Sequence, residues 1–340
     1  MTDVPTIVAD VRERGDAALA DWAERLDGAP PARAEPAGEV PVEAVLALAD
    51  AVRRWHELQR PADLAEEVLP GVRLERRWLP LASVGIYVPR RLVSTLVMCA
   101  VPAQAAGVER IAVVTPPEGA GIVARAAELF GLGEVWAVGG PQAIAALAYG
   151  TETIAPVDKI VGPGNAFVNE AKLLVAHDVA VDLPAGPSEV VVLASADADL
   201  GVAELELAAQ REHGPDAVCT LVEANGDLEG ALARVEALAP EHLVLLGEEA
   251  EALAPRVRNA GAVFVGRWSP VAAGDYATGG NHVLPTGGRA RAVGGLGLEA
   301  FLKPVTVQRL TPEGLAGVRP VVEALAALEG MPAHAEAVRR

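Results

Sequence analysis

The chain has 340 residues, of which 51% are hydrophobic and 4% aromatic, with 28 lysines and arginines against 46 aspartates and glutamates. This length and composition fit a globular protein of about two domains and exclude disordered, collagen-like and small disulfide-bonded proteins. The formal net charge of −18 leaves no electrostatic basis for binding nucleic acid or anionic lipid, so a phosphate-rich cofactor would be held mainly by backbone groups.

Two amphipathic helices are predicted near the start of the chain. Apolar side chains recur at helical spacing over residues 3–27, and the pattern is repeated over residues 40–60. The segment between them, GAPPARAEPAGE, is rich in proline, alanine and glycine and has no periodicity. Such a segment predicts a loop.

From about residue 84, short β-branched runs alternate with segments of helical length. This alternation predicts βαβ units and therefore parallel sheets. The runs of the first series lie at 84–88, 111–115, 135–140, 159–162 and 179–183.

A second series of runs predicts another α/β unit in tandem with the first. After about residue 295 the pattern changes to one strand-like run, PVTVQRL, followed by a predicted helix at 313–329 and a tail that we interpret as an arm. The second series has runs at 190–194, 217–222, 242–246 and 262–266, with predicted helices at 199–211, 228–238 and 248–259.

A glutamine and a histidine lie three residues apart in AAQREHGPDA. On the predicted helix Gln210 and His213 share a face, and Gly214 and Pro215 end the helix just after the histidine. Both side chains can therefore point at one atom, such as a metal ion. An ordinary capped helix end with solvated side chains has the same pattern, and the residues alone leave both interpretations open.

Glu241 and His242 stand together at the start of the predicted strand in LAPEHLVLL. A carboxylate and an imidazole can both transfer protons when the backbone directs them into one cleft. As an isolated dipeptide this pair is weak evidence for catalysis. Ser188 likewise precedes a buried strand, where a serine serves either as a turn residue or as a ligand contact.

The segment SPVAAGDYATGGNHVLPTGG at 269–288 contains many glycines. We interpret it as too rich in glycine for a helix, and it predicts a loop that brings Asp275 and its neighbours close to a ligand. An ordinary long connection with turn residues fits the segment equally well.

The segment VGPGNAFVNEAK at 161–172 predicts a strand, a Gly-Pro-Gly turn and a helix that begins at Asn165. The free N–H groups at a helix N-terminus can bind an anion, although a plain strand–turn–helix has the same sequence. No G-x-G-x-x-G fingerprint stands between a predicted strand and helix, so the sequence does not support a standard dinucleotide fold.

Three further histidines carry weaker signals. His334 lies near Glu329 in the closing segment LEGMPAHAEAV, and a lone histidine in a terminal arm is usually solvated. His56 and His177 lie in or just after predicted helices without polar neighbours, and we assign them no chemistry.

Eight motifs in this chain closely resemble those of the histidinol dehydrogenase family, in the same order, over roughly residues 78–340. Coincidence over eight ordered motifs is very improbable, so the resemblance overrides the structural alternatives given for each motif alone. The motifs are YVP, GGPQAIAALAYGT, VGPGNAFVNEAK, DLPAGPSEV, QREHGPDA, APEHL, GDYATGGNHVLPT and LEGMPAHAEAV.

The resemblance implies an enzyme that oxidises L-histidinol through L-histidinal to L-histidine with two NAD and a zinc ion. It implies that Glu241 and His242 are the acid–base pair. The implied metal ligands, an oxygen and nitrogen set that suits zinc, are Gln210, His213, Asp275 and His334.

The resemblance also implies binding residues. Tyr87, Gln142 and Asn165 match the NAD-binding positions of the family. The residues that match substrate contacts are Ser188, Glu329 and His242, together with the metal ligands Gln210, His213, Asp275 and His334.

The fold that the resemblance implies is α/β, with two incomplete Rossmann-like domains, N-terminal helices and a C-terminal helical arm. The family forms a homodimer that shares each active site between subunits. We therefore expect an N-terminal helical arm at 1–27, a domain of 28–86 plus 190–290 with most of the catalytic and metal site, a second domain at 87–189 on the NAD side, and an arm at 291–340 that completes the partner subunit's site.

The chain departs from the family pattern in two places. After Tyr87-Val88-Pro89 the family usually continues with two glycines and a longer loop, whereas this chain has RRLVSTLVM. We therefore expect weak NAD binding, with any compensation from the charges of Arg90 and Arg91. The region before residue 75 is also shorter than is usual, which predicts a reduced N-terminal arm.

Three other functions are alternatives: a dehydrogenase of another small polar alcohol, a zinc hydrolase and a non-catalytic paralogue. A hydrolase has no need of Tyr87, Gln142 and Asn165, and a paralogue without activity has no reason to keep four ligands and an acid–base pair.

We expect a cytoplasmic protein with reduced cysteines and no membrane partner. Cys99 and Cys219 lie far apart in apolar surroundings, so they form neither a disulfide framework nor a thiolate metal site. The first residues lack the pattern of a secretory leader, and no stretch is apolar enough for a membrane span.

Overall fold

The computed structural model describes residues 3–182 and 186–339. Residue 183 is the last of the predicted run at 179–183, and residues 183–185 belong to the motif DLPAGPSEV. These parts of the two predictions lie outside the described residues. The chain forms two compact units, Met1–Gln59 with Leu81–Phe301 and Arg60–Pro80 with Leu302–Arg340.

The helices carry the apolar faces that the sequence pattern requires. Within the described ranges, no helix has both the length and the low charge needed to cross a membrane. In chain order they are α1 (Val4–Arg14), α2 (Asp16–Leu26), α3 (Val42–Glu57), α4 (Val93–Ala106), α5 (Pro117–Glu128), α6 (Gly140–Tyr149), α7 (Ala166–Val175), α8 (Leu200–Arg211), α9 (Leu228–Leu238), α10 (Glu248–Glu251), α11 (Val271–Tyr276), α12 (Pro312–Leu328) and α13 (Pro332–Ala337).

The strands of the described residues form three sheets. In chain order they are β1 (Ala32–Arg33), β2 (Leu64–Leu69), β3 (Val72–Pro80), β4 (Ser83–Tyr87), β5 (Arg110–Thr115), β6 (Val135–Ala137), β7 (Lys159–Val161), β8 (Ala180–Val181), β9 (Glu189–Ala194), β10 (Val218–Glu223), β11 (His242–Leu246), β12 (Ala262–Val265) and β13 (Leu302–Leu310).

The N-terminal residues form two helices, α1 and α2, and the prediction of one helix over 3–27 is wrong at Gly15. Gly15 has a φ of 57°, a left-handed conformation that glycine adopts readily and that ends an α-helix. The helix predicted at 40–60 is confirmed as α3. The loop predicted between them contains the short strand β1, which pairs antiparallel with β6.

The first sheet has the order β1-β6-β5-β4-β7-β8, and all its pairs except β1 with β6 are parallel. Numbered in chain order, the five parallel strands lie in the order 3-2-1-4-5, as in the first five strands of a doubly wound sheet. The core on one face contains Ile7 and Leu19 from the N-terminal helices and Ile144 and Leu147 from α6.

A buried ion pair fixes the turn that follows β7. The ammonium group of Lys172, which is fully buried, donates to Asp182 and to the carbonyl of Gly162. Asp182 in turn accepts the N–H of Gly162 at 2.6 Å. Because a buried charge without its partner is strongly destabilising, this cluster ties α7 and the end of β8 to the Gly-Pro-Gly turn.

The second sheet has the order β10-β9-β11-β12, and every pair is parallel. All four runs predicted for it are confirmed as strands to within a residue or two. The helix predicted at 248–259 is wrong, because the chain forms only the short α10 and a 3₁₀ turn at Ala254–Arg256. Pro255 explains the early end, since proline cannot donate the next helical hydrogen bond.

The second unit contains an antiparallel sheet of order β13-β3-β2. Strands β2 and β3 were not predicted, although Pro70-Gly71 between two runs with apolar side chains is a turn signal. Gly71 has a φ of 70° in that turn. The strand and helix predicted after residue 295 are confirmed as β13 and α12, and the tail contains α13.

The α/β fold class is confirmed, but the predicted domain boundaries and the finer description as two incomplete Rossmann-like domains stay predictions. Two strands from the predicted segment 28–86, β1 and β4, are hydrogen-bonded within the first sheet. That segment therefore contributes to the same sheet as the strands of 87–189.

Candidate active site

The amino-terminal edge of the second sheet brings together residues that lie far apart in sequence. Ser188 and Glu189 stand at the start of β9, and Glu241 and His242 stand at the start of β11. The two strands are parallel neighbours, with His242 opposite Val190. Parallel strands begin at the same edge of a sheet, and this register places the two pairs side by side.

Glu241 is a nearly buried carboxylate with two hydrogen-bond donors. The Ser188 hydroxyl donates to its Oε2 at 2.7 Å, and the backbone N–H of Glu189 donates to the same atom at 2.8 Å. Burial raises the pKa of Glu241 to about 7, and the two hydrogen bonds offset part of that effect because they favour the charged form. The carboxyl group can therefore exchange a proton near neutral pH.

His242 presents one free ring nitrogen. Its Nδ1 lies 3.0 Å from the carbonyl oxygen of Glu189, and a carbonyl can only accept, so Nδ1 carries the proton. The buried Nε2 has no hydrogen-bond partner within the described residues and lies 3.8 Å from a carboxylate oxygen of Asp275. Burial lowers the pKa of His242, which keeps the ring neutral and Nε2 able to accept a proton.

Asp275 lies on the helix α11, and the prediction that its segment is too rich in glycine for a helix is wrong for these six residues. Gly274 is required there for packing, since a Cβ atom on it would lie 2.6 Å from the ring of Phe264. Burial raises the pKa of Asp275. Glu206 of α8, which the sequence analysis did not single out, accepts the N–H of Val271 at 3.1 Å and so holds α11.

Gln210 lies in the last turn of α8, which ends at Arg211 as the predicted range 199–211 has it, and His213 lies two residues beyond that end and not on the helix. Gln210 is 3% exposed, and its Nε2 has no hydrogen-bond partner within the described residues. His213 is exposed, and its charge contributes to the pKa shifts of Glu241 and Asp275. His213 therefore lies close enough to act electrostatically on Asp275.

The side chains of Gln210, His213 and Asp275 are of the chemical kinds that bind zinc. No group of three His, Cys, Asp or Glu residues in the described chain can hold a metal by itself. The buried amide nitrogen of Gln210, however, has no hydrogen-bond partner within the described residues. Because the oxygen and nitrogen of a side-chain amide can be exchanged by a flip, Gln210 can present its oxygen to a metal ion instead. With Asp275 and His213 it offers oxygen and nitrogen ligands, which zinc accepts.

A pocket of about 450 Å³ opens beside this edge of the second sheet. His242 and Asp275 line it, together with the aromatic rings of Phe264 and Trp268 and with His282. Burial lowers the pKa of His282 to about 4, so that ring is neutral at physiological pH. The pocket has the size and the mixture of apolar and polar groups typical of a site for a small molecule.

A second pocket of about 450 Å³ lies at the carboxyl edge of the first sheet. Tyr87, Asn165 and Gly140 line it. The Tyr87 hydroxyl accepts the N–H of Gly140 at 3.3 Å, and burial raises the pKa of Tyr87 to about 12. The Asn165 side chain accepts the N–H of Val168 at 3.0 Å, so the helix predicted to begin at Asn165 is confirmed.

Gln142 stands behind this pocket and is fully buried. Its Nε2 donates to Asp27 at 3.1 Å, while its Oε1 has no partner in the described part of the chain. Asp27 also accepts the N–H of Gly139 at 2.9 Å and lines the pocket. No local sequence pattern indicates Asp27, because it lies in a turn more than a hundred residues from the groups that it contacts.

His56 has polar neighbours, and the prediction that it has none is wrong. Its Nδ1 contacts the carbonyl of Val52 at 2.7 Å, and its Nε2 lies 3.2 Å from the Asn281 amide nitrogen. Asn281 also donates to the carbonyl of Met98 at 2.7 Å. Asn281, which lines the pocket beside His242, is thus held to α3 through His56 and to α4 through Met98.

Two predicted site residues belong to the second unit. Glu329 follows α12 and His334 lies on α13, and both are exposed. Their place in the site stays a prediction.

An α/β chain with a buried carboxyl group beside a buried imidazole at one sheet edge, and with a pocket at the carboxyl edge of another parallel sheet, has the organisation expected of a dinucleotide-dependent dehydrogenase. A family model described as histidinol dehydrogenase matches residues 1–229 and 224–340. The chain belongs to the histidinol dehydrogenase family.

Individual relatives agree with this assignment. A histidinol dehydrogenase from Methanothermobacter thermautotrophicus is 41% identical, over 99% of this chain and 92% of the relative. One from Cereibacter sphaeroides is also 41% identical, over 99% of this chain and 90% of the relative. The crystal structure of histidinol dehydrogenase from Elizabethkingia anophelis has a TM-score of 0.91 at 31% identity, covering 99% of this chain and 92% of that one.

Removal of the Ser188 hydroxyl should raise the pKa of Glu241. In Ser188→Ala the carboxylate loses a hydrogen bond that favours its charged form, while burial continues to favour the neutral form. NMR titration of metal-free protein labelled with ¹³C-glutamate, with Glu241→Gln to assign the resonance, measures the shift. The control Ser195→Ala removes a serine hydroxyl that donates to Asp197 at 2.6 Å and should leave Glu241 unchanged. An unchanged Glu241 titration in Ser188→Ala would contradict this account.

Proposed function

We propose that this chain oxidises L-histidinol through L-histidinal to L-histidine, with two NAD and one zinc ion, in the last steps of histidine biosynthesis. The observation that carries the proposal is the free, buried Nε2 of a neutral His242 beside a carboxyl group whose pKa is about 7. Membership of the histidinol dehydrogenase family supports the choice of substrate and of NAD.

His242 acts as the base for both oxidations in this proposal. Its Nε2 takes the proton of the substrate hydroxyl, while the hydrogen bond from Nδ1 to the Glu189 carbonyl at 3.0 Å holds the ring in the required tautomer. When bound, NAD accepts the hydride and zinc orients the substrate through its imidazole and amine.

Glu241 acts in the step between the two oxidations. It accepts a proton from the water that adds to L-histidinal, while protonated His242 returns its proton to the carbonyl oxygen. This gives the hydrate and leaves His242 neutral, so that His242 can deprotonate the hydrate for the second hydride transfer while Glu241 releases its proton to solvent. The Ser188 hydroxyl holds the Glu241 carboxylate in place at 2.7 Å and is also a proposed substrate contact. Burial suits Glu241 to this role, because a base works best when its pKa lies near the operating pH.

The remaining site residues bind metal, substrate and cofactor. We assign Gln210, His213 and Asp275 as metal ligands, and the fourth ligand, His334, would come from the partner subunit of a homodimer along with the substrate contact Glu329. Tyr87, Gln142 and Asn165 would bind NAD at the second pocket. We place the enzyme in the cytoplasm, where its two free cysteines stay reduced.

Addition of L-histidinol and NAD to the purified protein should produce NADH, and a zinc chelator should abolish this activity while far-UV circular dichroism stays nearly unchanged. The metal would be needed for turnover and not for folding, because the chain is large enough to build its core without it. Zinc added back should restore activity. Absence of NADH under all these conditions would refute the proposed function, and full activity of metal-free protein would refute the ligand assignment.

The two half-reactions should separate the roles of Glu241 and His242. Glu241→Gln should slow NADH formation from L-histidinal more than from L-histidinol, since only the aldehyde must first be hydrated. His242→Asn should slow both by about a hundredfold to ten-thousandfold, the range for loss of a general base. Single-turnover assays with each substrate measure the two steps. Equal losses in both half-reactions for both variants would contradict this division.

Mixed dimers should test whether His334 acts on the partner subunit. His213→Ala and His334→Ala are each expected to be inactive, but a mixed dimer then contains one site with both defects and one site with none. Random pairing makes half the dimers mixed, so unfolding and refolding the variants together should restore roughly a quarter of wild-type activity. Each variant refolded alone serves as the control. A mixture without activity would place His334 in the site of its own chain.

A further inference from the structure

The turn after β4 has an unusual backbone at Arg90. Leu92 donates its N–H to the carbonyl of Pro89 at 3.0 Å and closes the turn, with Arg90 at its first central position. Arg90 has a φ of 40°, whereas Arg91 is not in the left-handed region. A positive φ at this position of a turn favours glycine over residues that have a Cβ atom.

Neighbouring groups hold Arg90 in this conformation. The Thr115 hydroxyl donates to its carbonyl oxygen at 3.0 Å. Gly119 packs against the same carbonyl so closely that a Cβ atom on it would lie 2.2 Å from the oxygen. Strained backbone that the surroundings maintain points to a function for the residue.

Arg90 is one of the residues that line the pocket containing Tyr87 and Asn165. Among the residues that line this pocket Arg90 is the one cation, and the carboxylates of Asp27 and Glu118 also line it. Arg90 lies 3.5 Å from Glu118, with 72% of its side chain exposed and 68% of that of Glu118. An exposed ion pair of this kind stabilises little, so the guanidinium can leave it for a stronger partner.

We infer that Arg90 binds a phosphate group of the dinucleotide. This inference rests on the proposed function, which requires a molecule with two phosphates in this pocket. A guanidinium group suits a phosphate because it offers several N–H donors in a planar fork. By the resemblance described above, the family usually has glycines at this turn, so the positive charge of Arg90 is a feature of this chain. The net charge of the chain, −18, otherwise repels an anion.

The variant Arg90→Gly separates binding from folding. Glycine adopts a φ of 40° without strain, so the thermal midpoint should stay the same or rise. The dissociation constant for NAD, measured by isothermal titration calorimetry, should increase about tenfold to a hundredfold, as expected for a lost hydrogen bond to a charged group. The matched control is Arg91→Gly. The sequence alone counted the charge of Arg91 together with that of Arg90, but Arg91 does not line the pocket, so its loss should leave NAD binding unchanged.

The variant Glu118→Gln adds a test in the opposite direction. It frees Arg90 from its exposed partner and removes a negative charge from the pocket, so NAD should bind more tightly. The affinity of the wild-type chain should also fall with added salt more steeply than that of Arg90→Gly, since salt screens the attraction between exposed charges.

The outcomes distinguish this inference from the proposed function. Wild-type affinity for NAD in Arg90→Gly would overturn the role of Arg90 and leave the proposed function intact. A fall in the thermal midpoint together with weaker binding would make Arg90 a structural residue and overturn the inference. A wild-type chain that does not bind NAD would overturn the proposed function, and this inference with it.

Discussion

Parallel pairing of β9 with β11 forces two polar pairs, Ser188 with Glu189 and Glu241 with His242, to one buried edge of the second sheet. Water is largely excluded there, so each group must find its hydrogen bonds within the chain. The N–H of Glu189 and the Ser188 hydroxyl donate hydrogen bonds to the Glu241 carboxylate. Nδ1 of His242 donates to the Glu189 carbonyl. The same burial that demands these bonds raises the pKa of the carboxyl group and lowers that of the imidazole. Sheet register thus determines the protonation chemistry.

The pockets of the two sheets in the first unit lie at different places along their strands. The pocket of the first sheet follows β4, at its carboxyl edge, as is usual for α/β sheets. The pocket of the second sheet lies where β11 begins. The first residue of a strand has a backbone group that is not paired with the neighbouring strand. Here that group is the N–H of Glu189, which donates a hydrogen bond to the Glu241 carboxylate. The carboxylate that we propose for the hydration step can therefore also complete the backbone hydrogen bonding of the sheet.

Local pattern was sufficient to predict most strands and to place Glu241 and His242 at the start of one of them, but not to predict the contacts that support these residues. His242 was placed correctly at the start of a strand because a buried parallel strand is a distinct apolar run. The helix around Asp275 was missed, because its tolerance of Gly274 depends on close packing against Phe264, which no local pattern contains. The polar surroundings of His56 were missed for a similar reason, since Asn281 lies 225 residues away in sequence. Long-range packing is thus what the sequence pattern could not supply.

Three buried side-chain atoms in the described chain lack a hydrogen-bond partner: Oε1 of Gln142, Nε2 of Gln210 and Nε2 of His242. Leaving such a group unpaired costs about 1–3 kcal/mol, so folded proteins retain few of them. All three belong to residues that the motifs had already singled out, Gln142 behind one pocket and the other two at the opposite site. A core selected only for stability would replace them with apolar side chains of similar shape. Their retention is explained if bound cofactor, metal or substrate supplies the missing partners, because the unfavourable burial is then offset only when the site is loaded.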